Sequence, residues 1–130
     1  MTSLTAYPSM RDHLDRMARI AKDHWRKFET NEEHQDRVEC AELDAAWYFE
    51  DATKGQSTAY ARALRTVSGI HTPRAERFRE AALSAWYIAT ADAGKLFEET
   101  FEEILRDGQL SEATAARWDA LPAFADAVAA

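Results

Sequence analysis

Apolar residues recur every three or four positions along almost the whole chain of 130 residues. This spacing places them on one face of an α-helix, which turns by about 100° per residue. No stretch matches the two-residue period of a β-strand better than the helical period. The sequence therefore predicts an all-α fold: a single-domain bundle of four to six helices with short connections, covering residues 1–130.

Capping residues and glycines predict where the first three helices begin and end. These helices are expected over about 8–28, 31–54 and 57–67. The residues that mark their boundaries are Pro8, Thr30 with Glu33, Lys54 with Gly55, Ser57, and Ser68 with Gly69. Serine and threonine hydroxyls cap the first backbone N–H groups of a helix, and glycine suits the residue after its last turn.

The remaining chain predicts one long helix and a short, interrupted one. The long helix is expected from Thr72, which a proline follows, to Gly108. It exceeds about 30 residues, far above the average for globular proteins, so Gly94 is expected to divide or bend it. The last helix is expected to begin at Ser111, and Pro122 interrupts or restarts it.

Composition argues against several classes of function. The chain has no run of 18 apolar residues that would span a membrane and no basic-then-apolar signal stretch, so a cytoplasmic location is expected. Cys40 is the single cysteine, and no histidine has a glutamate three residues before it, as a ferritin-like di-iron site requires. Cys40 also lies in an acidic helix, which disfavours the thiolate needed for catalysis. We therefore expect no metal, no cofactor and no catalytic residues, with an enzyme less favoured than a binding protein.

The sign of the charge alternates along the chain. Residues 1–30 carry six basic and four acidic residues (+2), 31–52 one and eight (−7), 53–91 six and two (+4), and 92–130 three and nine (−6). The net charge of −7 disfavours direct binding to nucleic acid. The alternation has two interpretations, which are ion pairing between neighbouring helices and recognition of a charged partner.

A candidate partner-binding site lies in the second predicted helix and in the long one. Leu43 and Trp47 are four residues apart among carboxylates, which suits either packing against a second helix or an aromatic anchor for a partner. A glutamate-rich row in the long helix resembles a phosphate backbone in its charge, but a solvated helix face is the simpler interpretation. The candidate residues are Asp36, Glu39, Leu43, Trp47, Glu50, Glu98, Glu99, Glu102 and Glu103.

Together these features favour a small acidic protein–protein interaction module over an enzyme. Such a module would act as a non-enzymatic inhibitor or adaptor that occupies a basic protein surface, including one that normally binds nucleic acid, and so would be a nucleic-acid mimic. Homo-oligomerisation stays open, because the chain has enough aromatic residues for a core or for a seam between copies.

An alternative function is RNA cleavage by an arginine–histidine pair. Arg19 with His24 and Arg65 with His71 have spacings similar to those of helical HEPN-type ribonucleases. A chain with 12 arginines and four histidines contains about one such pair by chance, so the spacing is weak evidence.

Overall fold

The computed structural model of the chain describes residues 5–22 and 30–129, which are almost entirely helical. The helices are α1 (Met10–Lys22), α2 (Asn31–Thr66), α3 (Pro73–Tyr87), α4 (Ala93–Asp107), α5 (Glu112–Ala120) and α6 (Phe124–Ala129). A π-helical segment, Ile88–Asp92, joins α3 to α4. Apart from one isolated bridge between Thr5 and Pro122, the described residues form no β structure. The prediction of an all-α helical bundle is confirmed.

Most of the predicted capping residues cap helices. The hydroxyls of Thr30, Thr72 and Ser111 each accept a hydrogen bond from the backbone N–H three residues later, at 3.1, 3.1 and 3.2 Å. Gly108 follows α4 with a φ of +66°, the left-handed conformation that glycine adopts at a helix C-terminus. The starts of α2, α3 and α5 and the end of α4 therefore follow from local sequence.

The predicted break between the second and third helices is wrong, because α2 continues without interruption through Gly55. Its total length is 36 residues. Tertiary contacts hold the helix together on the far side of this glycine. The Ser57 hydroxyl, predicted to cap a new helix, instead accepts a hydrogen bond from Trp86 Nε1 at 3.0 Å. Gln56 Oε1 accepts one from the backbone N–H of Phe124 at 2.7 Å. These contacts and the packing around them outweigh the loss of about 1 kcal/mol that glycine causes in a helix.

The first helix begins later than predicted, at Met10 rather than residue 8. Pro8 lies in a turn closed by a hydrogen bond from the Met10 N–H to the Tyr7 carbonyl, at 3.1 Å. The predicted end of this helix, beyond Lys22, lies outside the described residues.

The long helix predicted from Thr72 is interrupted just before Gly94, by the π-helical segment rather than by the glycine itself. A π-turn widens the backbone and loosens the regular ladder of hydrogen bonds. The buried hydroxyl of Tyr7 donates to the Ala89 carbonyl within this segment, at 2.6 Å, and lies 2.9 Å from the Thr53 hydroxyl of α2. Tyr7 thus ties the start of the described chain to α2 and to the irregular turn.

The hydrophobic side chains form two clusters along the length of α2. Around its first half, the Phe49 ring stacks on Tyr7 at 5.0 Å and on Phe97 at 4.6 Å. Trp118 of α5 meets these rings edge-on and donates from Nε1 to Thr100 Oγ1 at 3.0 Å. Around its second half, α3 and α6 pack through a smaller cluster that includes Tyr60, Trp86 and Phe124. Both clusters therefore pack against α2, one around each half of the helix.

Candidate partner-binding face

Leu43 and Trp47 lie on the outward face of α2, with 49% and 62% of their surface exposed. Ala45, midway between them, is fully buried. Each residue of a helix is rotated by about 100° from the last, so Leu43 and Trp47 point almost directly away from the core that Ala45 enters. The second cluster of α2 lies further along the helix and does not cover them. Two large apolar side chains in consecutive turns are thus presented to solvent.

A groove runs along one side of this face, between α2 and α4. It is lined by Glu39, Glu42, Leu43 and Ala46 from α2, and by Phe101 from α4. Its apolar floor extends the surface of Leu43, and carboxylates stand at its rim. This combination suits an apolar side chain of a partner that also carries positive charge.

A second groove runs along the opposite side of the face, between α1 and α2, and it is more polar. Its lining residues are Arg16, Ile20, Asp36, Arg37 and Cys40. The guanidinium of Arg16 binds the carboxylate of Asp44 at 2.7 Å beside it. Asp36 thus lies in the row that Leu43 and Trp47 occupy and borders the second groove, whereas Glu39 lies at the side of that row and borders the first groove.

The carboxylates of α2 remain largely available to a partner. Asp36, Glu39 and Glu50 are all exposed. Glu39 accepts a hydrogen bond of 3.4 Å from Gln35, and Glu50 lies 3.3 Å from Lys54, one turn further along the same helix. Exposed pairs of this kind contribute at most about 1 kcal/mol, so they yield readily to a stronger cation.

The four glutamates predicted as one acidic cluster on α4 divide into two pairs with different roles. Glu99 binds Arg117 of α5 at 2.9 Å. The Glu103 carboxylate accepts hydrogen bonds from the Ser111 hydroxyl at 2.8 Å and the Thr114 hydroxyl at 3.0 Å. Glu103 thus holds α4 against the beginning of α5, where a negative charge also favours the helix dipole, and Glu99 holds α4 against its last turn.

The other pair, Glu98 and Glu102, is exposed and forms no hydrogen bond or ion pair within residues 5–22 and 30–129. Glu98 lies three residues before Phe101 and so on the same side of α4, whereas Glu102 is rotated by about 100° from Phe101. Neither glutamate lines the groove between α2 and α4. Of the predicted cluster, this pair is the part that can meet a partner together with Leu43 and Trp47.

Phe101 and Leu105 belong to this surface and were missed among the candidate residues. Phe101 is half-buried in the groove, and Leu105, one turn later, is 57% exposed. The core stripe of α4 is Leu96, Thr100 and Ile104, which are buried. Phe97, Phe101 and Leu105 form a second apolar stripe beside it at four-residue spacing. That second stripe was the signal in the sequence for an apolar edge on α4.

Ion pairs between helices account for part of the alternating charge. Besides the pairs already described, Arg11 of α1 binds Glu112 at 3.0 Å and Asp119 at 3.1 Å, both on α5. These carboxylates raise the pKa of the Arg11 guanidinium further above its usual value. Few carboxylates on the outward face of α2 pair with a cation of another helix in the described part of the chain. They differ in this from the carboxylates that join helices within the fold.

The two arginine–histidine pairs receive no support as a catalytic centre. His24 lies outside the described residues. The His71 side chain is 80% exposed, and its Nδ1 lies 3.9 Å from the Glu76 carboxylate. A nearby groove is lined by Val67, Ile70, Thr72, Arg74, Ala75 and Phe78, but neither Arg65 nor His71 lines it. A histidine in general acid–base catalysis must be held against bound substrate, and this geometry does not provide that.

Comparison with known proteins gives no further guide to function. No protein-family model, curated protein or solved structure matches the chain. Within the described part of the chain, no group of three or more histidine, cysteine, aspartate or glutamate side chains is arranged to hold a metal ion. No helix among those residues has the length and apolar character needed to cross a membrane.

Proposed function

We propose that the protein is a non-enzymatic interaction module of the cytoplasm, an inhibitor or adaptor, which binds a protein partner through the outward face of α2. The observation that carries this proposal is the exposure of Leu43 and Trp47 in consecutive turns amid exposed carboxylates. Soluble proteins rarely leave a tryptophan this exposed beside a second large apolar residue without an interaction to cover them.

The chemistry of the face indicates a partner with a basic surface. Trp47 would supply the central anchor, since tryptophan is enriched among the residues that dominate binding energy. Asp36, Glu39 and Glu50 on α2, with Glu98 and Glu102 on α4, would meet lysine and arginine around that anchor and accelerate association. A surface that normally holds phosphates fits this description, so the acidic face would act as a nucleic-acid mimic.

The first experiment is capture of the partner and measurement of its affinity for variants. Immobilised protein is exposed to native lysate treated with nuclease, and a stoichiometric partner is recovered and purified. We expect Trp47→Ala to weaken its binding by more than about 1 kcal/mol, with helicity and thermal stability nearly unchanged. Added salt should slow association, because the contacts at the rim are between exposed charges.

A matched pair of leucines provides the control. Leu43 on α2 and Leu83 on α3 are exposed to similar extents, 49% and 42%. Leu43→Ala should weaken binding and Leu83→Ala should not. Equal effects of the two substitutions, or a partner that binds Trp47→Ala as tightly as the natural sequence, would contradict the proposal. RNA cleavage that disappears in His24→Ala or in His71→Ala would replace it with the ribonuclease alternative.

A further inference from the structure

The outward face of α2 continues well beyond Leu43 and Trp47 as one exposed stripe. Its members follow one another at steps of three or four residues, the spacing that keeps them on a single face of a helix. They are Asp36, Cys40, Leu43, Trp47, Glu50, Lys54, Thr58, Ala61 and Arg65, and all are exposed. The stripe is about 44 Å long at the rise of an α-helix.

The two halves of this stripe carry opposite charge. Asp36, with Glu39 at its flank, lies near the beginning of α2, and Arg65, with Arg62 at its flank, lies near its end. Asp36 and Arg65 of one chain stand 29 positions apart on one continuous helix, so they cannot meet. Each end of the stripe could form ion pairs with the opposite end, but within one molecule the two ends are too far apart to do so.

We propose that a second copy of this chain covers the stripe, with the two α2 helices antiparallel about a two-fold axis. This inference rests on the proposed function, since it assigns what occupies the same face until a partner competes for it. In an antiparallel pair, the acidic half of each helix lies on the basic half of the other. A two-fold axis makes every contact occur twice, which doubles the effect of each complementary pair.

One register pairs opposite charges at both ends of the stripe and leaves room for Leu43 and Trp47. With Asp36 opposite Arg65 of the second copy, Leu43 lies opposite Thr58, whose small side chain leaves it room. In the same register Trp47 lies opposite Lys54, which permits a cation–π contact with the indole. Cys40 then lies opposite Ala61. The charges at the two ends, the small side chain of Thr58 and the contact between Trp47 and Lys54 all favour this alignment.

The same register predicts a reversible dimer rather than a permanent one. At its centre Glu50 and Asp51 of both copies come together, and Lys54 of each copy neutralises them in part. The large apolar contact area comes from Leu43 and Trp47, which is less than the apolar core of an obligate dimer interface. The dimer therefore stores the protein with its binding face covered, and a partner with a better basic surface displaces the second copy.

Reversing the charge of one residue at each end of the stripe tests the pairing. Asp36→Arg and Arg65→Glu are prepared separately, and self-association is measured by sedimentation up to a concentration on the order of 1 mM. Each variant alone places like charges together at both ends, so each should self-associate at least about tenfold more weakly than the natural sequence. An equimolar mixture should recover the dimer, because both contacts of the mixed pair again join opposite charges.

Disulfide trapping tests the register without altering a charge. Ala61→Cys should form a covalent dimer with Cys40 of a second copy under mild oxidation. Within one chain these two positions are 21 residues apart on α2, so any bond between them joins two molecules. Ala81→Cys, at an exposed position on α3, is the matched control and should remain uncrosslinked to Cys40.

The outcomes separate this inference from the proposed function. A natural chain that stays monomeric, a dimer indifferent to both charge reversals, or a mixture no stronger than its components would overturn the antiparallel dimer. Binding of the basic partner that still depends on Trp47 would leave the proposed function standing in each case. Loss of Trp47 dependence in partner binding, with the dimer intact, would remove the proposed function and keep the dimer.

Discussion

Trp118 and Trp47 lie in opposite environments in this molecule. Trp118 is 1% exposed, donates to Thr100 and meets three aromatic rings at their edges. Trp47 is 62% exposed and forms no hydrogen bond within the described residues. One holds α5 against α2 and α4, and the other faces solvent from the opposite side of α2. The packed core and the proposed binding face are therefore in different parts of the molecule, so we expect that they can be changed separately.

Truncation of the two tryptophans should give opposite results. Trp118→Ala removes a fully packed indole and leaves a cavity, so it should lower the free energy of unfolding by about 3–5 kcal/mol. Trp47→Ala should change it by no more than about 0.5 kcal/mol, because the side chain packs little. Urea denaturation monitored by circular dichroism measures both. A comparable loss of stability in the two variants would show that Trp47 belongs to the core.

Tyr7→Phe should cause the next largest loss in the free energy of unfolding, because Tyr7 belongs to the packed core around Trp118. It removes the donor to the Ala89 carbonyl and the partner of the Thr53 hydroxyl, at a cost of about 1–3 kcal/mol for buried groups left unsatisfied. Hydrogen exchange should rise first in the π-helical segment Ile88–Asp92. An unchanged free energy of unfolding and unchanged exchange would mean that the hydroxyl does not hold this turn.

The Tyr7 hydroxyl also makes the stability of the packed core depend on pH. Burial raises the pKa of Tyr7 above its usual 10.0. The folded state therefore holds this proton more tightly than the unfolded state does. Its contribution to stability is complete below pH 10 and is lost as the pH rises through the folded pKa. Tyr7→Phe should lack this part of the alkaline loss, which a comparison of urea midpoints at pH 9 and at about pH 11 would measure.

Local sequence was sufficient for the fold class and for most helix ends. The hydroxyls of Thr30, Thr72 and Ser111 act within four residues of themselves, so their effect can be read without knowing the tertiary structure. Gly108 acts in the same way at the end of α4. Prediction failed at Gly55, where contacts from α3 and from the beginning of α6 decide whether the helix continues.

The candidate site was predictable only in part, for the same reason. The spacing of Leu43 and Trp47 identified one face of α2, but whether another helix covers it depends on where α1 and α4 pack. The sequence did not show that the four glutamates of α4 divide into a pair that binds α5 and an exposed pair. The partners of the first pair, Arg117 and Ser111, lie in α5 and at its N-terminus. Charge patterns identify helix faces, and only the packing of helices determines which faces stay exposed.

A pair of glycine substitutions with small predicted effects tests whether α2 is one continuous helix, on which both the packed core and the exposed face depend. A Cβ at Gly55 meets no atom within 4 Å, and the residue lies inside α2. Gly55→Ala should therefore stabilise the protein by about 0.5–1 kcal/mol through better helix propensity. Gly69, at the turn after α2, has a φ of +75° that alanine adopts only with strain, so Gly69→Ala should destabilise. Destabilisation by Gly55→Ala would mean that α2 breaks there. A broken α2 would separate Trp47 from Arg65 and remove the continuous stripe on which self-association depends.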